Sequence, residues 1–486
     1  MALSRKRFTI LLLSILLIIL SWQQVLAANR GLVVREMTRD GVPLRFIAPA
    51  NVQNAPAILV AHGFAGSKQL MLAYGYTFAH AGYGVMLLDF GGHGDNPSRL
   101  DRAAGTLQAD LDVAFAALRE QPEVNETRVA LLGHSMGSGA VLDAGVRDVG
   151  RYAATVAISP REVEVTSSAP RNLLLQAGAL EPPFAESARR LLDAAGGPND
   201  DLAGGLARAL VMIPGAEHIT ILFRWRSHTA ALDWLNQTFG LETAAHYRDA
   251  RILWYGVHLV SWLVGLTAVA PLLPAAPRPP AKQKRKLWSW LGLLVGPLLA
   301  TGLIVLVSQA VNLSRVGGLL VGGAMGVWFF IMGSFWLATG FRLPRLTPRA
   351  VLWGLALFAI LWLAFGALAH LVWLPWVLIP TRLARWPFLA LLLLPWLLAG
   401  GLAQAGAGRG RRLAWWLAQS VLLLVGLGAA VVLVPELSFL FLILPILPII
   451  LGILSVAGAA VDQPWAYAIG SALFFAWVVA AVFPLA

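Results

Sequence analysis

Residues 129–146 read Val129-Ala130-Leu131-Leu132-Gly133-His134-Ser135-Met136-Gly137-Ser138-Gly139-Ala140-Val141-Leu142-Asp143-Ala144-Gly145-Val146. The first four are an apolar, β-rich run, and Ser138 to Val146 has helical spacing. Between them stands Gly-x-Ser-x-Gly. A strand that turns into a helix through this pattern needs glycines, because only they permit a turn sharp enough to lift the serine hydroxyl above the sheet. Gly139 adds a small residue where the helix meets the sheet. The stretch therefore predicts strand, tight turn and helix, with Ser135 presented as a nucleophile.

The surrounding sequence repeats the same alternation. Short apolar runs at Ala57–Ala61, Val85–Phe90, Val129–Leu132, Ala153–Ile158, Leu173–Leu175 and Ala209–Ile213 are separated by stretches of helical spacing such as Leu107–Leu118. Such alternation predicts an α/β fold, a doubly wound and mostly parallel sheet with helices on both faces, whose chemistry sits at the C-terminal strand ends.

Both flanks of this region are apolar. Arg5-Lys6-Arg7, the run Phe8–Leu20 and Val25-Leu26-Ala27 have the order of a secretory signal, with cleavage expected after residue 27. The same segment is long enough to be an uncleaved signal anchor. Either way, the chain from residue 28 onward is sent across the membrane. Beyond Arg251, eight spans are expected near 252–274, 288–311, 317–339, 350–372, 387–404, 413–434, 438–458 and 465–485, an all-α transmembrane helix bundle. The expected domains are thus 1–27, 28–250 and 251–486. Gly318, Gly322 and Gly326 suggest a small-residue ridge for close helix packing.

The charges obey the same division. The net charge of +12 could suggest a nucleic-acid partner, but 28–250 carries 23 acidic and 19 basic side chains. From Arg251 onward there are 15 Lys and Arg against only Glu436 and Asp462, so the excess belongs to the membrane half, where it orients helices, and no nucleic-acid partner is expected. The loop Arg278–Lys286 is the densest basic cluster and is expected in the cytoplasm. Arg342, Arg345 and Arg349 fall on the same side, as do Arg409, Arg411 and Arg412. Arg382 and Arg385 fall outside, against the trend. The absence of cysteine excludes disulfides, thiolate catalysis and cysteine metal sites.

Two further segments accompany the Ser135 turn: Ala61-His62-Gly63-Phe64-Ala65-Gly66-Ser67 after one apolar run, and Asp89-Phe90-Gly91-Gly92-His93-Gly94 after the next. With these, Val60 to about Leu235 resembles the α/β-hydrolase superfamily, particularly its serine-aminopeptidase-like and dienelactone-hydrolase-like esterase branches. The resemblance implies that the backbone N–H groups of Phe64 and Met136 hold an oxyanion. It also implies a general base in the loop after the last strand, where His218 stands in Pro214-Gly215-Ala216-Glu217-His218; His228, His62, His93 and His134 are its rivals. The acid is expected after the preceding strand, at Glu181, although Asp is commoner there and Asp200 or Asp201 could serve instead.

Only about a dozen residues separate the strands ending near Ser159 and starting near Asn172, so no large helical cap is expected and the site should be open. The spans hold His258, Gln309 and His370 but no central carboxylate or Lys, which favours a packing bundle over ion coupling. The expectation is a serine hydrolase without a cofactor or metal, acting on a small-molecule or lipid-like ester, thioester or amide, with a peptidase of the same fold as an alternative. A transport or sensory protein whose hydrolase-like domain only binds ligand is the other. The expected location is a bacterial plasma membrane, with 28–250 outside the cytoplasm; the sequence does not fix the oligomeric state.

Overall fold

The apolar runs of the first half pair into one sheet. The computed structural model describes residues 3–101, 105–242, 247–272 and 286–486. Among them, eight strands lie in the order β1-β2-β4-β3-β5-β6-β7-β8. They are β1 (Leu32–Arg39), β2 (Val42–Pro49), β3 (Ala55–Ala61), β4 (Gly84–Leu88), β5 (Val124–His134), β6 (Ala154–Ile158), β7 (Leu173–Gly178) and β8 (Arg208–Ile213). β3 to β8 run parallel, while β2 pairs antiparallel with both β1 and β4. The parallel strands are those expected from sequence, because strands covered on both faces read as continuous apolar runs. The β1–β2 hairpin was not anticipated. Its turn is Asp40-Gly41, with φ of 47° and 82°, a residue pair suited to a two-residue hairpin.

Helices cover both faces. α1 (Arg5–Ala27) precedes the sheet, and α2 (Leu72–His80), α3 (Thr106–Arg119), α4 (Met136–Arg147), α5 (Pro182–Ala194) and α6 (Trp225–Phe239) are interleaved with the strands. On one face Ile58, Val60, Tyr74, Phe78, Leu132 and Leu235 share a core. On the other, Leu59, Leu131, Phe115, Leu118 and Val141 belong to an apolar cluster that continues without a break into the second half of the chain.

That second half is α7 (Arg251–Val269), α8 (Lys286–Ser308), α9 (Gly322–Gly340), α10 (Pro348–Leu361), α11 (Pro380–Leu383), α12 (Trp386–Gln404), α13 (Arg409–Leu433), α14 (Leu447–Val461) and α15 (Pro464–Val482). Among the described residues nine helical segments, α1 included, are long and apolar enough to cross a membrane, and eight of them match the expected spans. Three local features depart from a regular span. The fourth ends in a π-helical turn at Trp362–Ala367. The seventh starts late because Pro435–Leu442 and Leu444–Ile446 are 3₁₀, where Pro435 and Pro445 each remove a helical donor. Finally, Gly318 has φ +75° and lies before α9, which Gly322 opens, so the three glycines do not form one ridge. Close packing occurs further along, where Gly326 meets Leu392 and Gly333 meets the backbone of Trp396. Residues 278–285 of the expected cytoplasmic loop lie outside the described residues.

The two halves are joined by main-chain contacts. Arg382, 1% exposed, donates to the carbonyls of Gly92 (2.6 Å) and Gly94 (2.9 Å) after β4, and to those of Ala480 (2.6 Å) and Phe483 (2.8 Å) at the end of α15. The Leu485 N–H donates to Gly92 as well, at 2.8 Å. Arg251, ion-paired with Asp249, stacks its guanidinium over Tyr76 and donates to Leu371. Among the described residues, eight long helical passes bring the chain back to the end from which α7 left, so Arg251, Arg382 and Leu485 all meet the α/β domain. At the other end, Arg412 pairs with Asp462. The helix α1 lies along α7, where a Cβ on Gly265 would sit 3.3 Å from that of Ser14, and the Trp22 ring meets His258 edge-on.

Candidate active site

The chain delivers Ser135 from a strained turn. At the junction of β5 and α4 it adopts φ 53°, ψ −114°, a conformation that a non-glycine residue holds only when its surroundings enforce it. The two flanking glycines permit that enforcement. A Cβ on Gly133 would collide with the Gly137 carbonyl, and one on Gly137 would lie 2.5–2.6 Å from the carbonyls of His62 and Ala61. The Ser135 N–H is fixed by the Ile158 carbonyl at 2.9 Å.

Two side chains from other loops reach this serine. His218, in the loop after β8, places Nε2 3.0 Å from Ser135 Oγ. Its Nδ1 lies 2.9 Å from Glu181 Oε2. Glu181, after β7, is almost fully buried, and its other oxygen accepts from the Gly178 N–H at 2.6 Å and the Ser159 hydroxyl at 2.7 Å. With a carboxylate at Nδ1, the proton of a neutral imidazole sits on that nitrogen, leaving Nε2 to accept from Ser135. Asp200 and Asp201 are not brought to the site. They lie in an exposed turn, where Asp201 accepts from the Gly204 N–H at 2.8 Å.

The other histidines are committed elsewhere. His228 is buried on α6, against Tyr74 and the Leu222 carbonyl. His134 Nε2 donates to the His218 carbonyl at 2.8 Å, which braces the backbone of the base. Burial, and then the nearby His218, holds its pKa well below the ordinary 6.5, so it stays neutral. His62 is likewise lowered by burial; it donates from Nδ1 to Gly63 and accepts the Phe90 N–H at Nε2, tying two loops together. His93 packs against His62 and Phe64.

The expected oxyanion donors flank the serine. Met136 is the first residue of α4, and Phe64 comes directly after Gly63, whose Cβ, if present, would lie 3.1 Å from that of Ser135. Sequence reasoning missed what holds this loop. Lys68, buried, bonds Asp89 and Asp95 at 2.5 Å each, and its N–H donates to Asp89 at 2.7 Å. Burial opposes charge on both groups, yet the Lys68 ammonium keeps the Asp89 carboxyl below its ordinary pKa, and the two carboxylates keep the Lys68 pKa raised. Lys68→Met should therefore destabilise the fold by about 3–5 kcal/mol, because it leaves Asp89 charged, buried and unpaired. Denaturant unfolding measures this, and a loss under about 1 kcal/mol would mean that the backbone donors alone sustain the carboxylate.

The expected open site is corrected. No helix stands between β6 and β7, but the bundle supplies a roof from the 3₁₀ segment before α14. Phe439 stacks on Phe64 with ring centroids 4.0 Å apart, and Phe441 approaches His218 at 6.2 Å. Phe184 of α5 stacks on the His218 ring at 4.2 Å. The two roof residues Phe439 and Phe441 lay inside an expected span, where nothing distinguishes them from lipid-facing side chains.

Residues 53–191 match the family model described as serine aminopeptidase, S33. The fold of this part of the chain is that of an α/β hydrolase. The chain is 28% identical over 175 residues to an uncharacterized protein of Mycobacterium tuberculosis, a match that covers 36% of this chain and 57% of that one. It is 27% identical over 111 residues to an uncharacterized 31.7 kDa protein of Escherichia coli, covering 22% and 39%. The chain thus spans 57% of the length of the first of these relatives and 39% of the second. Similar solved structures include an α/β hydrolase of a Penicillium species (17% identity, 43% of this chain and 99% of that one, TM-score 0.34) and a dienelactone hydrolase of Anabaena variabilis (19%, 44% and 99%, 0.32).

Proposed function

We propose that this chain is a membrane-anchored serine hydrolase that cleaves an ester, thioester or amide through an acyl-enzyme. The observation that carries the reading is the continuous bonding from Ser135 Oγ through His218 to the buried Glu181. Ser135 Oγ attacks the carbonyl carbon as its proton passes to His218 Nε2, and the negative charge that develops on the carbonyl oxygen meets the N–H groups of Phe64 and Met136. His218 then returns the proton to the leaving group as the acyl bond breaks. Water repeats the cycle, giving its proton to His218 and its hydroxyl to the acyl carbon, which frees the acid and Ser135.

The reading is tested with a fluorophosphonate on isolated membranes. Stoichiometric labelling of Ser135 is expected. A folded, unlabelled protein would favour the alternative in which the domain only binds ligand.

Charge sets the orientation. The end of the bundle remote from the hydrolase domain receives Arg342, Arg345, Arg349, Arg409, Arg411 and Arg412 when the spans alternate, and the N-terminal Arg5, Lys6 and Arg7 share that side. Positive loops face the cytoplasm. The contrary Arg382 is a docking residue whose charge is bound by carbonyls, so its place on the outer side does not weigh against this orientation. The packing of α1 on α7 supports a retained anchor over a cleaved signal. Protease added to intact spheroplasts should therefore remove the hydrolase domain, and digestion that requires a permeabilised membrane would invert the topology.

A further inference from the structure

A cavity lies where the hydrolase domain meets the bundle, beside the proposed acyl-enzyme site. It comprises about 760 Å³ of empty space, open solvent included. Its wall on the hydrolase side is Phe64 to Ser67 and Ile219, which are the oxyanion loop and the residue after the base. Its other wall includes Leu442, Ile446, Ile450 and Val482 of the bundle, and no charged side chain among the described residues lines it. One lining group is polar and unsatisfied: the Ser67 hydroxyl is fully buried and has no hydrogen-bond partner among the described residues.

Resting on the serine-hydrolase reading, we propose that this cavity holds the acyl chain of the substrate, and that the substrate is a long-chain lipid ester drawn from the bilayer. An ester carbonyl held between Phe64 and Met136 has its acyl chain beside the oxyanion loop, which is one wall of the cavity. The bundle wall is also the lipid boundary, since Ile446 and Ile450 face the cavity while Ile449, between them in the same span, is 60% exposed. An acyl chain can therefore move from lipid to the site between apolar side chains without crossing water. Each methylene so buried is worth about fourfold in binding. The membrane half, on this inference, is half of the substrate pocket as well as an anchor.

The test uses the full-length protein in detergent micelles with p-nitrophenyl acetate, octanoate and palmitate, and a short fluorophosphonate as an independent probe of Ser135. The wild type should prefer the longer acyl groups. Ile446→Trp and Ile450→Trp, which fill the cavity, should lower kcat/KM for palmitate about tenfold or more, while acetate turnover and the labelling rate hold, which also shows that the variants are folded. Ile446→Ala should shift the preference toward still longer or branched chains. If palmitate and acetate fall together, or chain length has no effect while Ser135 still labels, the cavity is an interface void and the inference is overturned with the hydrolase reading intact. If the wild type neither labels nor hydrolyses any ester, both fail.

Discussion

Ser135→Ala should abolish fluorophosphonate labelling and lower turnover by about 10⁴–10⁶-fold, with the fold unchanged. Alanine keeps the Cβ, so the strained backbone at φ 53° is neither relieved nor worsened. What disappears is one hydroxyl and its 3.0 Å bond to His218 Nε2, worth about 1 kcal/mol to stability. His218→Ala should match it in turnover, because the two side chains act as a unit. The measurement is kcat on any ester the wild type accepts, alongside a thermal melt. Full activity in Ser135→Ala would mean that the elbow is only a turn, and the mechanism would fall with it.

Glu181→Gln should cost on the order of 10⁴ in kcat, and the geometry gives the reason. The oxygen Oε1 accepts two donors, the Gly178 N–H and the Ser159 hydroxyl. Glutamine can satisfy both only by placing its carbonyl oxygen there, which turns its NH₂ toward His218 Nδ1. A donor at Nδ1 forces the imidazole proton to Nε2, the nitrogen that must accept from Ser135. Asp200→Asn and Asp201→Asn should leave kcat within about twofold, since Asp201 serves its own turn and surface changes of this kind are nearly neutral. If Glu181→Gln retained most activity while either Asp variant lost it, the acid would be reassigned and Ser135 would keep its role.

Much of this arrangement was legible because it is local. The elbow, the two glycine loops and the order serine, acid, histidine are short patterns set at strand ends, and apolar runs betray a sheet covered on both faces. The hairpin escaped because β1 alternates half-buried and exposed residues, and its one clear signal, Asp40-Gly41, is two residues long. The Lys68–Asp89–Asp95 network escaped for another reason. Lys68 and Asp89 are 21 residues apart, and nothing about either predicts that a charged pair will be wholly buried. Phe439, Phe441 and the cavity wall were invisible because, in a span, an apolar residue facing a protein pocket is the same letter as one facing lipid.

Arg382 has a consequence for how the joint between the halves tolerates sequence drift. Its four bonds end on main-chain carbonyls, at Gly92, Gly94, Ala480 and Phe483, and a substitution cannot delete a carbonyl. The two glycines are constrained by their positive φ and by close neighbours, a Cβ on Gly94 falling onto the Asp89 carboxyl, and the other two only by their apolar packing. The whole recognition is vested in one guanidinium, whose planar fork lysine cannot reproduce. A saturation scan of the joint should accordingly find 382 intolerant even of lysine and the two glycines intolerant of a side chain, with Ala480 and Phe483 free to vary as far as their apolar packing allows.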